Sequence, residues 1–492
     1  MAIRSFSKTS MWRKPKNILA LQSLSLPFSA SSFFDPHRSR LFEEKLRDLC
    51  DAVSTPVGSL DDLELSLGRF RGRLTSSLVA QVIDRCKDGA PTRRLLRFFS
   101  WARKNLGSRI EDKDFNYAIE VFAEKKDHTA MEILISDLGK EGRVMDKQTY
   151  SVVAEKLVSL GREGEALGLF KNLEKFKCPQ DGATVMAVVN ALCSKGHAKM
   201  AEGVVQHHKS NLEGIEPCIY RCLLYGWSEK EDVKQARRII KEMKSAGFMP
   251  DLFCFNTFLR CLCERNLKRN PSGLVPESLN VMMEMRTFMI APNSISYNIV
   301  LSCLGRARRV KESCQILDQM KKSGCSPDWV SYYLVARVLY LSGRFGKGNK
   351  IVDEMIEQGL VPEHKFYYDL IGILCGVERV NHALELFERM KSSSLGKYGP
   401  VYDVLIPKLC RGGDFCKARE LWDEAASKGV NLRCSEDMLN PQITEVFKPV
   451  RKLEDVEPLV CMIEEPPLQN SRVRGKKRKK KQKKKGYKKG MK

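Results

Sequence analysis

The stretch SISYNIVLSCLGRARRV, residues 294–310, carries an aromatic residue, Tyr297, at its fourth position, and this arrangement returns along the chain. If Ser294 is position 1 of a unit, the next unit begins 35 residues later at Trp329 and again has a tyrosine at position 4. Position 4 of nine successive units is occupied by Phe115, Tyr150, Val185, Tyr220, Phe255, Tyr297, Tyr332, Tyr367 and Tyr402. Self-similarity at a fixed period is the sequence signature of a repeat architecture.

Other positions of the unit predict a pair of helices. Tyr297, Leu301 and Leu304 recur at helical spacing, and Leu317 and Met320 do so again after a polar break. A small residue at position 20 lets the two helices approach closely, and a glycine at position 15 marks the turn between them. One hairpin cannot bury its apolar faces alone, whereas stacked hairpins can. The sequence therefore predicts an all-α fold, a superhelical α-solenoid of stacked 35-residue helix-turn-helix repeats.

The register divides the chain into segments. We predict an organellar transit peptide over 1–34, a non-repeat leader over 35–76, and a degenerate or capping repeat over 77–111. A C-terminal cap is expected over 434–470, followed by a disordered polybasic tail over 471–492. The nine predicted repeats span 112–433, as 112–146, 147–181, 182–216, 217–251, 252–293, 294–328, 329–363, 364–398 and 399–433. The repeat 252–293 is seven residues longer than the others, and we expect its extra residues to form a loop between its helices.

Positive charge is concentrated at the two ends of the chain. The formal net charge is +24, but 14 Lys or Arg lie in residues 472–492 and five in the first 34, with no acid in either, which leaves about +5 elsewhere. A Ser-rich start with basic residues and no acid is typical of an organellar transit peptide. The 17 cysteines include no CxxC pair, which favours reduced thiols over disulfides or a zinc site. No segment is long and apolar enough to predict insertion into a membrane.

These repeats resemble the pentatricopeptide repeat family, and their uniform length resembles its P subclass. The resemblance rests on the 35-residue period, the aromatic at position 4, the Gly, Ala and Met columns, and the closing pairs Pro250-Asp251 and Pro327-Asp328; it covers about Ser77 to Arg433. It implies a right-handed superhelix that binds single-stranded RNA, one base per repeat, with the 5′ end at the N-terminal repeats. It also implies a plant protein imported into mitochondria, with the plastid as an alternative.

In this family, positions 5 and 35 of a repeat read the base, and position 2 packs against it. The resemblance implies the pairs Asn116 with Asp146 for U, Ser151 with Asp181 for G, Asn256 with Asn293 for C over U, and Asn298 with Asp328 for U. Ile295, at position 2, is expected to pack on the base of the last pair. The hypothesis is a core 5′-UGnnYU-3′ followed by three unread bases. The other five pairs do not match the family's code, and we expect Tyr333 and Tyr368, at position 5, to stack on bases.

No motif in the chain indicates catalysis. An HxE motif with a later CxxC, as in zinc deaminases, is missing, as are Walker A, GxSxG and HExxH motifs. We therefore predict no enzyme activity, no cofactor or metal, and no small-molecule substrate. The expected function is sequence-specific RNA binding in mitochondrial RNA metabolism, with ribosomal or nonspecific RNA contacts by the tail. The alternatives are a protein–protein scaffold, or a nuclear RNA-binding factor addressed by the polybasic tail.

Overall fold

The computed structural model describes residues 36–55, 58–392 and 398–444, and within these ranges the protein is helical and contains no strand. The all-α fold class predicted from the sequence is therefore confirmed. The predicted transit peptide and the polybasic tail lie outside the described residues, as does most of the predicted C-terminal cap. The chain forms two compact units, residues 1–366 and 367–492, which we describe separately.

The first unit is a stack of helix pairs. Its helices are α1 (Pro36–Ser54), α2 (Leu60–Leu67), α3 (Ser76–Cys86), α4 (Thr92–Leu106), α5 (Asp112–Glu124), α6 (His128–Lys140), α7 (Lys147–Ser159), α8 (Glu163–Lys171), α9 (Gly182–Ser194), α10 (Ala198–His207), α11 (Glu216–Glu229), α12 (Val233–Ser245), α13 (Leu252–Arg269), α14 (Leu274–Thr287), α15 (Ser294–Arg306), α16 (Val310–Lys322), α17 (Trp329–Leu341) and α18 (Phe345–Glu357). Each odd-numbered helix from α3 to α15 packs against the next odd-numbered helix, and we call α3 to α17 the first-helix layer. From α5 onward, each even-numbered helix packs on the odd-numbered helix before it.

The core of each pair depends on positions 4 and 20, as the sequence predicts. The position-4 residues Tyr150, Tyr297 and Tyr332 are fully buried between the helices. Position 20 must be small because the second helix crosses the first at this point. A Cβ atom built on Gly348 would lie 2.2 Å from the ring of Tyr340, so this crossing has room for glycine alone.

Position 35 starts the first helix of the next repeat. In four repeats its side chain is the N-cap that accepts a backbone N–H two or three residues on. The residues that do so are Asp181 for α9, Asp251 for α13, Asn293 for α15 and Asp328 for α17. An N-cap of this kind stabilises a helix by about 1 kcal/mol, and Asn and Asp serve almost equally well.

The helices before the predicted array are docked onto it. Helices α1 and α2 pack on α3 and α4, and the buried Arg94 of α4 reaches the end of α1. Its guanidinium donates to the carbonyl oxygens of Ala52 at 2.9 Å, Val53 at 3.3 Å and Gly58 at 3.3 Å. The carbonyls of Ala52 and Val53 lie in the last turn of α1, where the helix itself offers no N–H, so Arg94 links this helix end to α4.

The loop predicted inside the repeat 252–293 is wrong. Helix α13 continues to Arg269 and α14 begins at Leu274, so most of the extra residues are helical. The amide of the fully buried Asn266 donates to Glu277 Oε2 at 2.9 Å, and Arg265 binds the same oxygen at 2.9 Å. Polar side chains that indicated a loop thus form hydrogen bonds between the two helices of the hairpin. Pro271, which has no N–H to offer a helix, follows the end of α13.

The second unit contains most of α19 (His364–Gly376), which begins in the last residues of the first unit. Three further helices follow, α20 (Val380–Ser392), α21 (Gly399–Gly412) and α22 (Phe415–Ser427). Phe387 of α20 meets Tyr402 of α21 edge to face, with ring centroids 5.1 Å apart. After α22 the chain forms one turn of 3₁₀ helix, Glu436–Leu439, which packs on α21 and α22.

Candidate nucleic-acid interface

Positions 5 and 35 of a repeat meet because successive first helices lie side by side. Position 5 lies in the second turn of a first helix, and position 35 is the N-cap of the next one. In the repeat 294–328 these residues are Asn298 of α15 and Asp328 at the start of α17. The starts of the first helices therefore form one edge of the first-helix layer, and the predicted base-reading residues lie along it.

Asn298 and Asp328 form a hydrogen-bonded pair. Asn298 Nδ2 donates to Asp328 Oδ1 at 3.0 Å and to Oδ2 at 3.2 Å. The hydroxyl of Ser331 donates to Asn298 Oδ1 at 2.7 Å, and the Ser331 N–H donates to Asp328 Oδ1 at 2.8 Å. Asn298 is only 2% exposed, whereas Asp328 is half-buried and Ile295 is 45% exposed. Solvent therefore meets mainly the carboxylate and the isoleucine of this predicted site.

Asn256 and Asn293 are linked through a serine. The hydroxyl of Ser296 donates to Asn256 Oδ1 at 2.6 Å and lies 3.1 Å from Asn293 Oδ1. Ser296 and Asn293 also form a reciprocal capping box at the start of α15. Both asparagines are half-buried, so their amide groups are partly open to solvent.

Asn116 is held by backbone groups. Its Nδ2 donates to the carbonyl oxygens of Asp112 and Val144, each at 2.8 Å, and its Oδ1 accepts the N–H of Asp146 at 3.0 Å. The side chain is 1% exposed, while that of Asp146 is exposed. Here the position-5 amide joins α5 to the segment that enters α7.

Ser151 and Asp181 are not joined by any hydrogen bond in the described residues. The carboxylate of Asp181 caps α9 and forms an ion pair with Lys147, the first residue of α7. Burial alone would raise the pKa of Asp181, but hydrogen bonds from Lys147 and the Thr184 N–H hold this pKa below its ordinary value. The carboxylate is therefore charged at neutral pH.

Two pairs that do not match the code are also in contact. Arg221 donates to Asp251 Oδ2 at 2.6 Å, so this carboxylate is occupied by a guanidinium. In the second unit, Asp403 Oδ1 accepts the N–H of Arg433 at 2.8 Å and that of Cys434 at 3.2 Å. Contact between positions 5 and 35 thus also occurs in repeats whose pair matches no base code.

The two position-5 tyrosines differ in exposure. Tyr333 is 5% exposed and packs against Phe366, with ring centroids 6.0 Å apart. The expectation that Tyr333 stacks on a base is therefore wrong, because its ring is already buried in the protein. Tyr368 is 40% exposed, so stacking remains a prediction for this residue.

Charged side chains cross the first-helix layer at positions 9 and 13, one and two turns beyond position 5 on the same helix face. Arg260 donates to Glu229 at 3.0 Å, and Arg306 forms a two-pronged pair with Glu264 at 2.6 and 2.7 Å. Ion pairs at such partly exposed positions contribute little to stability. These guanidinium groups could therefore exchange a carboxylate for a phosphate at small cost.

The sequence interpretation missed the hydroxyl at position 3 of the following repeat. Ser296 and Ser331 each donate to the position-5 amide of the repeat before them and cap their own helix. The signal was present as an Asn or Asp followed three residues later by Ser, which is a variant of the capping-box pattern.

The part of the chain that the structure describes holds no cluster of three or more His, Cys, Asp or Glu side chains suited to a metal ion. None of the helices in that part combines the length and the apolar character required to cross a bilayer.

Comparisons with known proteins point to one family. The model of the PPR repeat family matches residues 217–264 and 292–340, and that of the PPR repeat matches 367–395. A mitochondrial pentatricopeptide repeat-containing protein of Arabidopsis thaliana is 62% identical over 84% of this chain and 85% of its own length. This relative confirms the predicted mitochondrial localisation. The small ribosomal subunit protein mL104 of the same plant is 27% identical over 97% of this chain and 93% of its own.

Among solved structures, the pentatricopeptide repeat protein PPR10 in complex with an 18-nt psaJ RNA element matches with 20% identity and a TM-score of 0.45. The match covers 83% of this chain and 64% of the PPR10 chain, so this chain spans less than two thirds of it. Yeast Rmd9p in complex with a 16-nt target RNA matches with 12% identity and a TM-score of 0.37 over 80% of this chain and 86% of its own.

Proposed function

This chain belongs to the pentatricopeptide repeat family, and from that premise we propose that it is a sequence-specific single-stranded RNA-binding protein of mitochondrial RNA metabolism. The RNA lies along the edge of the first-helix layer where positions 5 and 35 meet, with one base per repeat. The observation that best supports this is the Asn298–Asp328 pair. It sets an amide donor and a carboxylate acceptor 3.0 Å apart beside the exposed Ile295.

The chemistry of the pairs agrees with the proposed bases. Uracil presents an N3–H donor at its Watson–Crick edge, whereas cytosine presents an N3 acceptor there. The carboxylate of Asp328 accepts from uracil N3–H and repels cytosine N3. The amide of Asn293 has an N–H to donate, so the repeat 252–293 accommodates cytosine. With Asn116/Asp146 and Ser151/Asp181 as readers of U and G, the proposed core is 5′-UGnnYU-3′.

Such a protein acts by occupying RNA, without chemistry of its own. A tract bound along successive repeats is shielded from exonucleases and kept out of RNA helices. Either effect supports transcript processing, stability, splicing or translation. A protein–protein scaffold would also use this layer, but it would not require Asn and Ser at position 5 to lie beside Asp and Asn at position 35.

Selection of RNA from a randomised pool by the full chain tests the proposal. We expect RNAs that contain UGnnYU to be enriched over the other RNAs of the pool, which have equal length and charge. Sequencing the RNA that co-purifies with the tagged protein from mitochondria should recover tracts with the same core. Selection without any base preference, or recovery of proteins and no RNA, would favour the scaffold.

The position-35 exchange Asp328→Asn gives a sharper test. It copies the Asn/Asn pair of the repeat 252–293, and we expect the base opposite the repeat 294–328 to shift from U toward C by roughly tenfold. The helix start is preserved because Asn and Asp are equivalent N-caps. The reverse exchange, Asn293→Asp, should shift its own position toward U. If each variant keeps the wild-type preference while still binding RNA, the register is wrong.

A ribosomal role is the second candidate. It is favoured by the alignment with mL104, which spans nearly the whole of both chains, and by the tail, which suits the phosphates of ribosomal RNA. Sedimentation of mitochondrial extracts distinguishes the two. Quantitative co-migration of the protein with the small ribosomal subunit supports this role, whereas light fractions that contain a bound transcript support the first.

A further inference from the structure

A cavity of about 560 Å³ opens at the C-terminal end of the repeats. Its walls come from three places in the second unit: the C-terminal half of α19, α21 from Asp403 to Arg411, and the residues that follow α22. The lining residues that determine the shape and charge of the cavity are Gly372, Pro407, Lys408, Arg411, Arg433 and Asp403.

Within the described residues, which end at 444, no further first helix packs beside α21. Where the next repeat would begin, this part of the chain forms the 3₁₀ turn Glu436–Leu439. The side chains at position 9 are also short here, since this position is Gly372 in α19 and Pro407 in α21, whereas in α13 it is Arg260. A space that long side chains cross elsewhere is thus left open.

The lining of this cavity is strongly positive. Lys408, Arg411 and Arg433 face one carboxylate, that of Asp403. Asp403 Oδ1 is already bound by the backbone N–H groups of Arg433 and Cys434, at 2.8 and 3.2 Å. The structure shows no ion pair from the three cations to any residue it describes. They therefore have their charge and their N–H donors available.

The thiols in the lining do not change this balance. Burial raises the pKa of Cys375 to about 11. Burial, together with a hydrogen bond involving Asp403, raises the pKa of Cys434 to about 11. Both thiols are neutral at neutral pH, so the net charge of the lining stays positive.

We propose that this cavity binds a phosphate group of the RNA strand on the 3′ side of the base-reading repeats. This inference rests on the proposed RNA-binding function and deepens it. Guanidinium groups present planar pairs of donors that match phosphate oxygens, and a lysine adds a mobile point charge. The Asp403/Arg433 pair, which matches no base code, then belongs to a backbone anchor. The ninth repeat holds the strand and reads no base.

The test compares two RNAs of equal length and composition. Both contain UGNNYU, with a six-nucleotide extension either on the 3′ side, which reaches the cavity, or on the 5′ side, which does not. The double variant R411Q/R433Q of the full chain removes two donors that are exposed at the surface. We expect it to weaken binding of the 3′-extended RNA roughly three- to tenfold and to lower its log–log salt slope by about 0.7 for each phosphate that is no longer bound. Binding of the 5′-extended RNA should not change.

The matched control is K417Q/R419Q on α22, which removes the same charge at exposed positions outside the cavity. We expect this control to bind each of the two RNAs with the affinity of the wild-type chain. Two 3′-extended RNAs that end opposite the cavity, one in a phosphate and one in a hydroxyl, distinguish the two possible ligands. Tighter binding of the first indicates a terminal phosphate, and equal binding indicates an internal phosphodiester. Equal loss on both RNAs, or no loss on either, overturns the inference. If the wild-type chain binds neither RNA, the proposed function itself fails.

Discussion

At the scale of single residues, an asparagine at position 5 can serve the fold, the predicted base reading, or both. Asn298 donates to Asp328 and accepts from Ser331, so its amide belongs to the edge where RNA is proposed to bind. Asn116 has nearly the same burial, but three of its hydrogen bonds go to backbone groups. It therefore closes the junction between two repeats, whatever base it faces.

Replacement of Asn116 should loosen that junction. Asn116→Ala removes the hydrogen bonds to the carbonyl of Val144 and from the N–H of Asp146, at a cost of about 1 kcal/mol for each. The peptide that contains residues 140–150 should then exchange its amide hydrogens faster by mass spectrometry. Asn256→Ala is the matched control, because Asn256 is half-buried and makes no such backbone bond in the described residues. Unchanged exchange in the Asn116 variant would contradict the structural role.

The burial of Asn116 and Tyr333 was not predictable from their position in the repeat. The spacing of the chain predicted the buried aromatic at position 4, because that residue packs within its own hairpin. The environment of position 5 depends on the neighbouring repeat. Asn116 binds the carbonyl of Val144, and Tyr333 packs against Phe366 of the next repeat. Such contacts across a repeat boundary are not encoded in the spacing of residues within one repeat.

At the scale of helices, positions 12 and 20 compensate for one another in volume. The repeat 182–216 has Cys193 with Ala201, whereas the repeat 329–363 has the larger Tyr340 with Gly348. All four residues are buried. In these two repeats the two positions share the space at the crossing, so the residue at position 20 is smaller where the residue at position 12 is larger.

This sharing predicts a non-additive pair. Gly348→Ala should destabilise the protein by about 1 to 3 kcal/mol, because its Cβ would lie 2.2 Å from the Tyr340 ring. Tyr340→Cys alone should also destabilise it by leaving a void. The double variant recreates the Cys/Ala crossing, and thermal unfolding should show a smaller loss than the sum, by at least about 0.5 kcal/mol.

The control lies on the same helix. Gly346 has open space where its Cβ would point, so Gly346→Ala should be neutral or slightly stabilising. If the two alanine variants have the same stability, the crossing is not tight.

Helix α13 shows the limit of sequence patterns at this scale. Its polar extension indicated a loop, whereas the structure has a helix whose Arg265 and Asn266 bind Glu277 across the hairpin.

At the scale of the whole molecule, charge and recognition are separated. Three of the four proposed reading pairs carry one carboxylate and no cation, and Arg260 and Arg306 of the first-helix layer are paired with glutamates. The two ends of the sequence hold most of the excess positive charge. We therefore expect RNA affinity and base preference to depend on different segments of the chain.

Deletion of residues 471–492 tests this separation. We expect removal of these 14 cations to weaken matched and mismatched RNA by the same factor, and to lower the log–log salt slope by about 0.7 for each phosphate that the tail had bound. The preference for UGnnYU should persist. A scrambled tail of the same composition should restore affinity. If deletion instead abolishes the base preference, the tail takes part in recognition.

Asp328 both pairs with Asn298 and caps the first helix of the next repeat, and this determines how the proposed recognition element can be transplanted. Residues 294–328 carry the proposed reading pair, but the hydroxyl that binds both of its side chains comes from Ser331, beyond the repeat boundary. A graft cut at the boundary and placed before a repeat with Cys254 or Phe366 at position 3 would lack that hydroxyl. The portable segment is 294–331, which overlaps its neighbour by three residues. Chimeric arrays assembled from overlapping pieces should retain preferences that abutting pieces lose.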